Sequence, residues 1–249
     1  MATTFRRCLT GAAFAAPVLA AWLISAESAA AASLDVNPVR IDIGSAGRPA
    51  ELRLTNTGST PLSVQVDAVQ WSQDRDGIDE LAPTDQLLAV PPLFTVPPGA
   101  RQIVRIGFLG EPSDERERSF RLLVTEIAAS PKPADGSALA MRMRLSIPAF
   151  VAPVEGPAAP EIVLAGVASE TAGHRLTLQN IGGAHARLQR IELLQRGQWL
   201  PLTETGLVRY LLPDAQVSLS IPPSFDNFRA VRISSIDGRD WEYAVQPSP

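Results

Sequence analysis

A regular alternation of apolar and polar positions runs from Leu139 to Ile147. Its odd positions are all large and apolar; these are Leu139, Met141, Met143, Leu145 and Ile147. A period of two predicts a β-strand with one apolar face. Pro148 follows directly, and because proline cannot donate a ladder hydrogen bond, it favours a sheet edge or the end of the strand. This strand either completes the core of its own domain or keeps its apolar edge open for another chain.

Short apolar segments separated by turn residues fill the rest of the chain after residue 32. They first span residues 34–43, 51–55, 62–71, 87–96, 101–108 and 120–127. Pro38 interrupts the first of these, and Pro91-Pro92 split the fourth. After a proline-rich stretch at 148–160, the pattern restarts at 161–168, 174–179, 186–194, 199–201, 207–212, 216–221, 228–233 and 241–245. No segment sustains a helical period, so the sequence predicts an all-β fold of two immunoglobulin-like β-sandwich domains in series.

The first 32 residues have the pattern of a secretory signal peptide. Arg6 and Arg7 form a basic start, residues 11–24 an apolar run, and Ala29–Ala32 a small-residue cleavage site. The apolar run is shorter than a transmembrane helix requires, so we expect export without stable membrane insertion. We therefore predict a signal peptide at 1–32, an N-terminal domain at 33–152 and a C-terminal domain at 153–249.

Composition narrows the class of protein. The formal net charge is −4, and no stretch forms a basic stripe, which argues against a nucleic-acid partner. The single cysteine, Cys8, lies in the predicted signal peptide. The exported chain would then contain no disulfide, so its hydrophobic cores alone must stabilise it.

Few residues offer catalytic or metal-binding chemistry. The only two histidines, His174 and His185, lie beside predicted turns without further ligands at suitable spacing, whereas a zinc site needs three or four. We therefore predict no enzyme activity, no cofactor and no metal, and we interpret both histidines as solvated loop residues or strand-edge residues. The charged run Asp114–Arg118 is interpreted as a solvated loop, Gly182-Gly183 as a tight hairpin turn, and Trp71 as a core residue.

Arg40 is the only basic residue of the first predicted strand. An arginine is costly to bury unless it is paired, so the simplest interpretation is a surface charge. The alternative is a carboxylate anchor, because a guanidinium group can hold a carboxylate through two parallel hydrogen bonds. The residue pattern alone leaves both interpretations open.

Taken together, these motifs resemble the PapD-like periplasmic chaperones of the chaperone–usher pilus pathway, along the whole exported chain. In the first domain the residues that carry the resemblance are Leu34-Asp35 with Arg40, Asn56-Thr57-Gly58, Trp71, Pro91–Gly99 with Gln102–Arg105, Phe120–Ile127 and Ile147–Pro153. In the second domain they are Asn180-Ile181-Gly182 and Tyr210–Pro213. The block from Pro91 to Arg105 is the most specific. The Ile-Pro-Ala-Phe-Val ending of the alternating strand is similar to the archaic branch, which assembles spore-coat-U-like and Csu-type fimbriae.

The resemblance implies two immunoglobulin-like domains set at an angle, with a cleft that binds a fimbrial or pilin subunit lacking its final strand. It implies donor-strand complementation in the periplasm, followed by delivery to an outer-membrane usher. The side chains inserted into the subunit would be Leu139, Met141, Met143, Leu145 and Ile147. Arg40 matches the family's arginine that anchors the subunit's C-terminal carboxylate. The lysine that joins it in the family is absent, because Pro148 occupies the aligned position.

Three alternatives stay open. One is a secreted structural or adhesive protein of two immunoglobulin-like domains, although the chain shows neither tandem repeats nor an anchoring signal. Another is a secreted enzyme on a β-sandwich, which the missing ligand cluster disfavours. The third is that the free protein forms a dimer in which the alternating strands of two copies cover each other's apolar edge.

Overall fold

The structure, a computed structural model, describes residues 34–127, 142–171, 173–202 and 209–245. Every regular element in these ranges is a β-strand, which confirms the predicted all-β class. The strands before residue 152 are β1 (Leu34–Asn37), β2 (Ile41–Ile43), β3 (Ala50–Asn56), β4 (Leu62–Gln73), β5 (Asp79–Pro83), β6 (Leu87–Val90), β7 (Leu93–Val96), β8 (Arg101–Phe108), β9 (Arg118–Ile127) and β10 (Arg144–Val151). Those after it are β11 (Ile162–Glu170), β12 (Gly173–Asn180), β13 (Ala186–Gln195), β14 (Gln198–Pro201), β15 (Arg209–Leu211), β16 (Gln216–Ile221), β17 (Ala230–Ser235) and β18 (Asp240–Ala244). None of the described ranges holds a helix long and apolar enough to cross a membrane.

The first ten strands form two sheets around one core. One sheet has the order β1-β3-β8-β6, and the other has the order β2-β10-β9-β4-β5, with β7 also paired to β4. Alternation along each strand turns one face inward. Leu52 and Leu54 of β3 therefore meet Val64 of β4 and Leu122 of β9, and all four side chains are fully buried. This arrangement is the predicted first β-sandwich.

Two proline positions mark the places where the chain changes sheet. Pro38 separates β1 from β2, which lie in different sheets. Pro91-Pro92 separate β6, which pairs with β8, from β7, which pairs with β4. Because proline interrupts a hydrogen-bonded ladder, each apolar run divides into two short strands that complete opposite sheets. Both predicted interruptions are confirmed.

The last eight strands form a second sandwich. Its sheets have the orders β11-β12-β16 and β14-β13-β17-β18, and β15 pairs with β13. Leu176 and Leu178 of β12 and Val217 of β16 pack against Leu193 of β13 and Ile233 of β17 in a fully buried cluster. The restart of the apolar pattern after the proline-rich stretch thus corresponds to a second core.

Two aromatic residues of the first half belong to that second core. Trp71 of β4 and Phe150 of β10 are each 3% exposed and pack beside Tyr210 of β15. Trp71 is therefore a core residue as predicted, but the core is that of the C-terminal half. The chain from Ala31 to Pro249 forms one compact unit. A domain boundary between residues 152 and 153 stays a prediction.

Gly182-Gly183 do not form the hairpin turn predicted for them. They lie between β12 and β13, which belong to different sheets. A Cβ atom at Gly182 would stand 2.4 Å from the carbonyl oxygen of Ala159, and one at Gly183 would stand 2.6 Å from that of Glu115. Glycine is required here because backbone from other segments passes too close for a side chain.

Candidate functional site

The alternating stretch lies in β10, but the strand does not end where the sequence predicts. It begins at Arg144 and continues through Pro148 to Val151. Met143 directly precedes the strand, and Leu139 and Met141 lie outside the described residues. Of the two alternatives predicted for Pro148, the end of the strand is therefore wrong, whereas the sheet edge agrees with the direction in which its backbone groups point.

Pro148 is tolerated inside β10 because its missing N–H would point away from β9. The Glu126 N–H donates to the Met143 carbonyl at 3.0 Å, and the pairing then advances residue by residue. In an antiparallel ladder the residues that bond a given neighbour alternate, so odd positions of β10 bond β9 and even positions bond the other edge. Ala152, at an even position, agrees with this alternation, because its N–H donates to the carbonyl of Ile43 in β2 at 2.8 Å. A proline at 148 thus removes no bond from the β9 ladder.

That other edge of β10 is only partly occupied. β10 pairs with β9 along its whole length, but with β2 only through Ala149–Val151, in parallel orientation. Among the strands that the structure describes, none pairs with Arg144–Pro148 on this side. The backbone N–H and C=O groups of Arg144 and Ser146 face this open edge, whereas the register assigns the C=O of Pro148 to the N–H of Ile41 at the start of β2.

The apolar side chains of β10 differ in their availability. Ile147 is 5% exposed and belongs to the core of the first sandwich. Leu145 is half-buried against the same core, and Met143 is half-buried ahead of the strand. Of the five predicted insertion residues, Ile147 is therefore already used by the chain's own core, whereas Met143 and Leu145 keep exposed surface.

Arg40 lies at the point where the open edge ends. It occupies the bend just before β2 rather than a strand, which corrects its predicted position. Since Ile41 pairs with Ala149, Arg40 lies alongside Pro148. Its Nε donates to Asp42 at 2.9 Å, and 33% of its side chain is exposed. The backbone of Arg40 thus lies beside Pro148, and its partly exposed guanidinium group is paired with Asp42.

A second arginine, Arg121 of β9, pairs directly with Pro148 from the opposite side. Its guanidinium carbon lies 3.7 Å from the centre of the Trp71 ring. Its Nη2 donates to Asp79 at 2.8 Å, and its Nη1 donates to the Ser146 hydroxyl at 3.3 Å. This residue was not among the predicted site residues. The alternation of Phe120–Ile127 was the available signal, because it places Arg121 on the face opposite the core.

His185 is not solvated, which corrects the prediction for it. Its backbone N–H donates to the Glu117 carboxylate at 2.7 Å, and its Nδ1 lies 2.6 Å from the same oxygen. The two side chains are only 11% and 10% exposed. The imidazole ring also stacks on Phe150, with centroids 3.7 Å apart.

The charged run Asp114–Arg118 is likewise not a simple solvated loop. Besides the contact of Glu117 with His185, Arg116 forms an ion pair with Asp214. The Glu117 N–H donates to the Gly183 carbonyl at 2.9 Å. The run therefore links the two sandwiches.

Asp237 and Arg187 form a further ion pair close to Arg40 and His185. The Arg187 Nε donates to Asp237 at 3.2 Å. This hydrogen bonding holds the pKa of the Asp237 carboxyl below its ordinary value. Partial burial opposes the shift, and electrostatic interactions with Arg187, Arg40 and His185 add to it. In the part of the chain that the structure describes, no group of three or more His, Cys, Asp or Glu is arranged to hold a metal ion.

Comparison with known sequences identifies the family. Residues 33–156 match the sequence model described as "Pili and flagellar-assembly chaperone, PapD N-terminal domain". The chain belongs to the PapD-like chaperone family. A curated relative, the chaperone protein FimB/FhaD of Bordetella pertussis, is 34% identical over 140 residues. That match covers 51% of this chain and 54% of the relative, so the chain spans about half the length of this relative.

Solved structures of PapD-like chaperones share the fold. A chain of the CsuC–CsuE chaperone–tip adhesion subunit complex, from archaic Csu pili of Acinetobacter baumannii, has a TM-score of 0.67 at 20% identity and covers 88% of this chain and 100% of its own. A chain of the Salmonella enterica complex of the SafA pilin with the SafB chaperone has a TM-score of 0.58 at 18% identity. The match covers 86% of this chain and 97% of that one. The Pseudomonas aeruginosa CupB2 chaperone has a TM-score of 0.55 at 17% identity. The match covers 86% of this chain and 100% of that one. These similarities extend over both sandwiches and confirm the predicted two-sandwich fold.

Proposed function

We propose that this chain is a periplasmic chaperone that holds fimbrial or pilin subunits by donor-strand complementation and delivers them to an outer-membrane usher. Membership of the PapD-like family supports the general role. The observation that carries the finer mechanism is the unpaired edge of β10 from Arg144 to Pro148. An open strand edge is a template on which another chain can add a strand. No catalytic step is part of this proposal.

The position of β2 supports a definite place and direction for the added strand. β2 occupies the same edge of β10 in parallel orientation, beginning at the pair Ile41 and Ala149. A subunit strand that extends this pairing toward Arg144 also runs parallel to β10. Its C-terminal end then stops at Pro148, where the existing strand blocks further pairing. The backbone groups of β10 supply the register without depending on the subunit's sequence.

The apolar face of β10 supplies the side-chain contacts. Met143 and Leu145 keep exposed surface, and we assign them to the subunit's groove together with Leu139 and Met141. Burying each side chain fully contributes about 1.5–3 kcal/mol before the costs of association. Ile147 stays in the chaperone's own core and positions the strand. Methionine suits this role because its flexible side chain adapts to irregular pockets.

Arg40 is assigned to the C-terminal carboxylate of the subunit. It lies alongside Pro148, where a parallel subunit strand would end. Its present partner, Asp42, is 58% exposed, so the ion pair between them is worth little and can be exchanged. A hydrogen-bonded carboxylate at this point would fix the end of the subunit strand.

Co-expression with a small pilin-like protein encoded beside this gene tests the proposal. The wild-type chain, carrying an affinity tag, is expected to retain the subunit in the periplasmic fraction. Met141→Asp combined with Met143→Asp places two charges on the inserted face and is expected to lower subunit recovery at least about tenfold. Leu109→Asp is the control, because Leu109 is 66% exposed and lies outside β10.

Unchanged subunit recovery with the double variant would overturn the donor-strand role. Gel filtration of the free chaperone gives a second measurement. A dimer that dissociates when the subunit is added would indicate that the same edge caps itself in the absence of subunit. A structural or adhesive protein would instead show no subunit-dependent change of size.

A further inference from the structure

We propose that a cavity beside Arg118, between the two sandwiches, binds a small free oxyanion with the chemistry of acetate. This inference is independent of the function proposed above, because the wall of the cavity contains no residue of β10 and neither Arg40 nor Arg121. It assigns a ligand to a part of the molecule to which the proposed function gives no role.

The cavity has a volume of about 290 Å³ and is lined from both sandwiches. The first sandwich contributes the end of β4 and the start of β9, and the second contributes the turn between β15 and β16. The lining residues are 70–73, 86, 116–120 and 212–215. One water molecule occupies about 30 Å³ in the liquid, so the space suffices for an anion of several heavy atoms. A ligand bound here would contact both sandwiches at once.

Arg118, the first residue of β9, has a guanidinium group that is only partly used. Its hydrogen bond among the described residues runs from Nη1 to the amide oxygen of Gln86, at 3.2 Å. Its Nε is buried and has no hydrogen-bond partner among those residues. A buried donor without an acceptor is rare in native proteins and calls for an explanation. The edge of the guanidinium group formed by Nε and Nη2 has the spacing that holds both oxygens of one carboxylate.

The two carboxylates that line the cavity already have other partners. Glu117 accepts hydrogen bonds from the backbone N–H and the ring Nδ1 of His185. Asp214 forms an ion pair with Arg116, and the two side chains are 61% and 47% exposed, which places this pair at the rim. Arg118 is therefore the cation of the wall that has no ion pair among the described residues. A partly buried charge of this kind favours an anionic ligand.

Trp71 gives a second, independent observation. It is 3% exposed and lines the same cavity, and its indole Nε1 is buried without an acceptor among the described residues. The wall thus carries two buried donors, from Trp71 and Arg118, that lack acceptors. Water would accept their hydrogen bonds but would leave the charge of Arg118 uncompensated, whereas an oxyanion does both.

Acetate is the probe, titrated at pH 7 into the exported protein against sodium chloride at constant ionic strength. The indole N–H resonance of Trp71 is expected to shift and to reach saturation, with half of the shift below about 10 mM acetate. Trp199 and Trp241, the other tryptophans after residue 32, lie outside the cavity and are internal controls. Trp199→Phe and Trp241→Phe assign the resonances. No saturable shift, the same shift with chloride alone, or equal shifts of all three resonances would overturn the proposal.

Gln86→Glu places a carboxylate where the amide oxygen already accepts from Arg118. This variant is expected to lose the acetate response and, without acetate, to unfold at a higher temperature than the wild type, a gain that a misfolded protein cannot show. Arg118→Gln is expected to weaken acetate binding at least about tenfold. Arg105→Gln removes an exposed arginine on the other sheet and is the control, with unchanged acetate binding. A Gln86→Glu protein that still responds to acetate or gains no stability, or unchanged affinity in Arg118→Gln, would overturn the proposal.

Discussion

Glu117 and His185 lie 68 residues apart in the chain, yet one carboxylate oxygen of Glu117 contacts both the backbone N–H and the ring Nδ1 of His185. Glu117 belongs to the segment that leads into β9, and His185 to the segment that leads into β13. The contact therefore joins the two sandwiches. Phe150 covers the imidazole ring from β10 and shields it from water. This shielding makes the contact more valuable than a surface ion pair of the same length.

We predict that His185→Ala destabilises the whole chain and not only its second half. The substitution removes a stacked ring and leaves the largely buried Glu117 carboxylate with one partner fewer. Hydrogen bonds to charged groups contribute about 1.5–3 kcal/mol, so a loss of about 2–3 kcal/mol in the free energy of unfolding is expected. Urea unfolding followed by tryptophan fluorescence measures it. His174→Ala removes a ring that contacts Phe228 edge-on and serves as control, with an expected loss of about 1 kcal/mol. Equal losses for the two variants would contradict this interpretation.

Asp237 predicts a dependence of stability on pH. The hydrogen bond from Arg187 holds the pKa of the Asp237 carboxyl below its ordinary value of 3.8. A carboxyl whose pKa is lowered by folding stabilises the protein above its unfolded pKa, and this contribution disappears as the pH falls through the folded pKa. Because the Asp237 side chain is 46% exposed, solvent screening limits the contribution to less than about 1 kcal/mol.

The matching variant is Asp237→Asn, measured by urea unfolding at pH 7 and at pH 2. At pH 7 the variant is expected to be slightly less stable than the wild type. At pH 2, where the wild-type carboxyl is largely protonated, the difference between the two proteins is expected to shrink. If the difference in the free energy of unfolding were larger at pH 2 than at pH 7, the lowered pKa of Asp237 would not be a source of stability.

The alternation of apolar and polar residues along single strands explains why much of the fold can be predicted from the sequence. The strands β8 (Arg101–Phe108) and β16 (Gln216–Ile221) have the predicted bounds, because their apolar positions alternate and turn residues flank them. β5 (Asp79–Pro83) was missed, since all five of its side chains are exposed and it carries no apolar face. β10 extends past its predicted end because a proline is harmful only where its missing N–H would have paired.

The candidate site is harder to predict because its parts come from distant segments. Arg40 stands out in the sequence as the only basic residue of its predicted strand, but the residue pattern leaves its role open, and only the resemblance to a family favours the carboxylate anchor. The contact of Glu117 with His185 spans 68 residues, and that of Arg187 with Asp237 spans 50. Periodicity tells which face of a strand a residue occupies but not which residue it meets there. The pairing of Arg121 with Pro148 accordingly emerges only from the strand register.

Gly182→Ala is predicted to be strongly destabilising for reasons of space. The added Cβ would lie 2.4 Å from both the Ala159 oxygen and the Glu161 nitrogen, which are backbone atoms and cannot rotate away. Forcing such an overlap costs about 1–3 kcal/mol or more. Gly44→Ala is the control, because a Cβ atom added there would have nothing within 4 Å. Thermal unfolding of both variants compares them, and a Gly182→Ala protein as stable as Gly44→Ala would show that the segment at residue 159 moves freely.

A last prediction contrasts two neighbouring positions of β10. Pro148→Ala restores an N–H group that points to the open edge, so the β9 ladder is unchanged and the free energy of unfolding should fall by only about 1 kcal/mol. Ala149→Pro removes an N–H group that bonds β9 and should cost about 3 kcal/mol or more. The restored donor also makes the edge a better template for pairing, so Pro148→Ala should increase self-association in sedimentation velocity. Equal destabilisation by the two substitutions would contradict the inference that odd positions of β10 bond β9 and even positions face the other edge. The backbone groups assigned to the open edge would then be those of the odd positions.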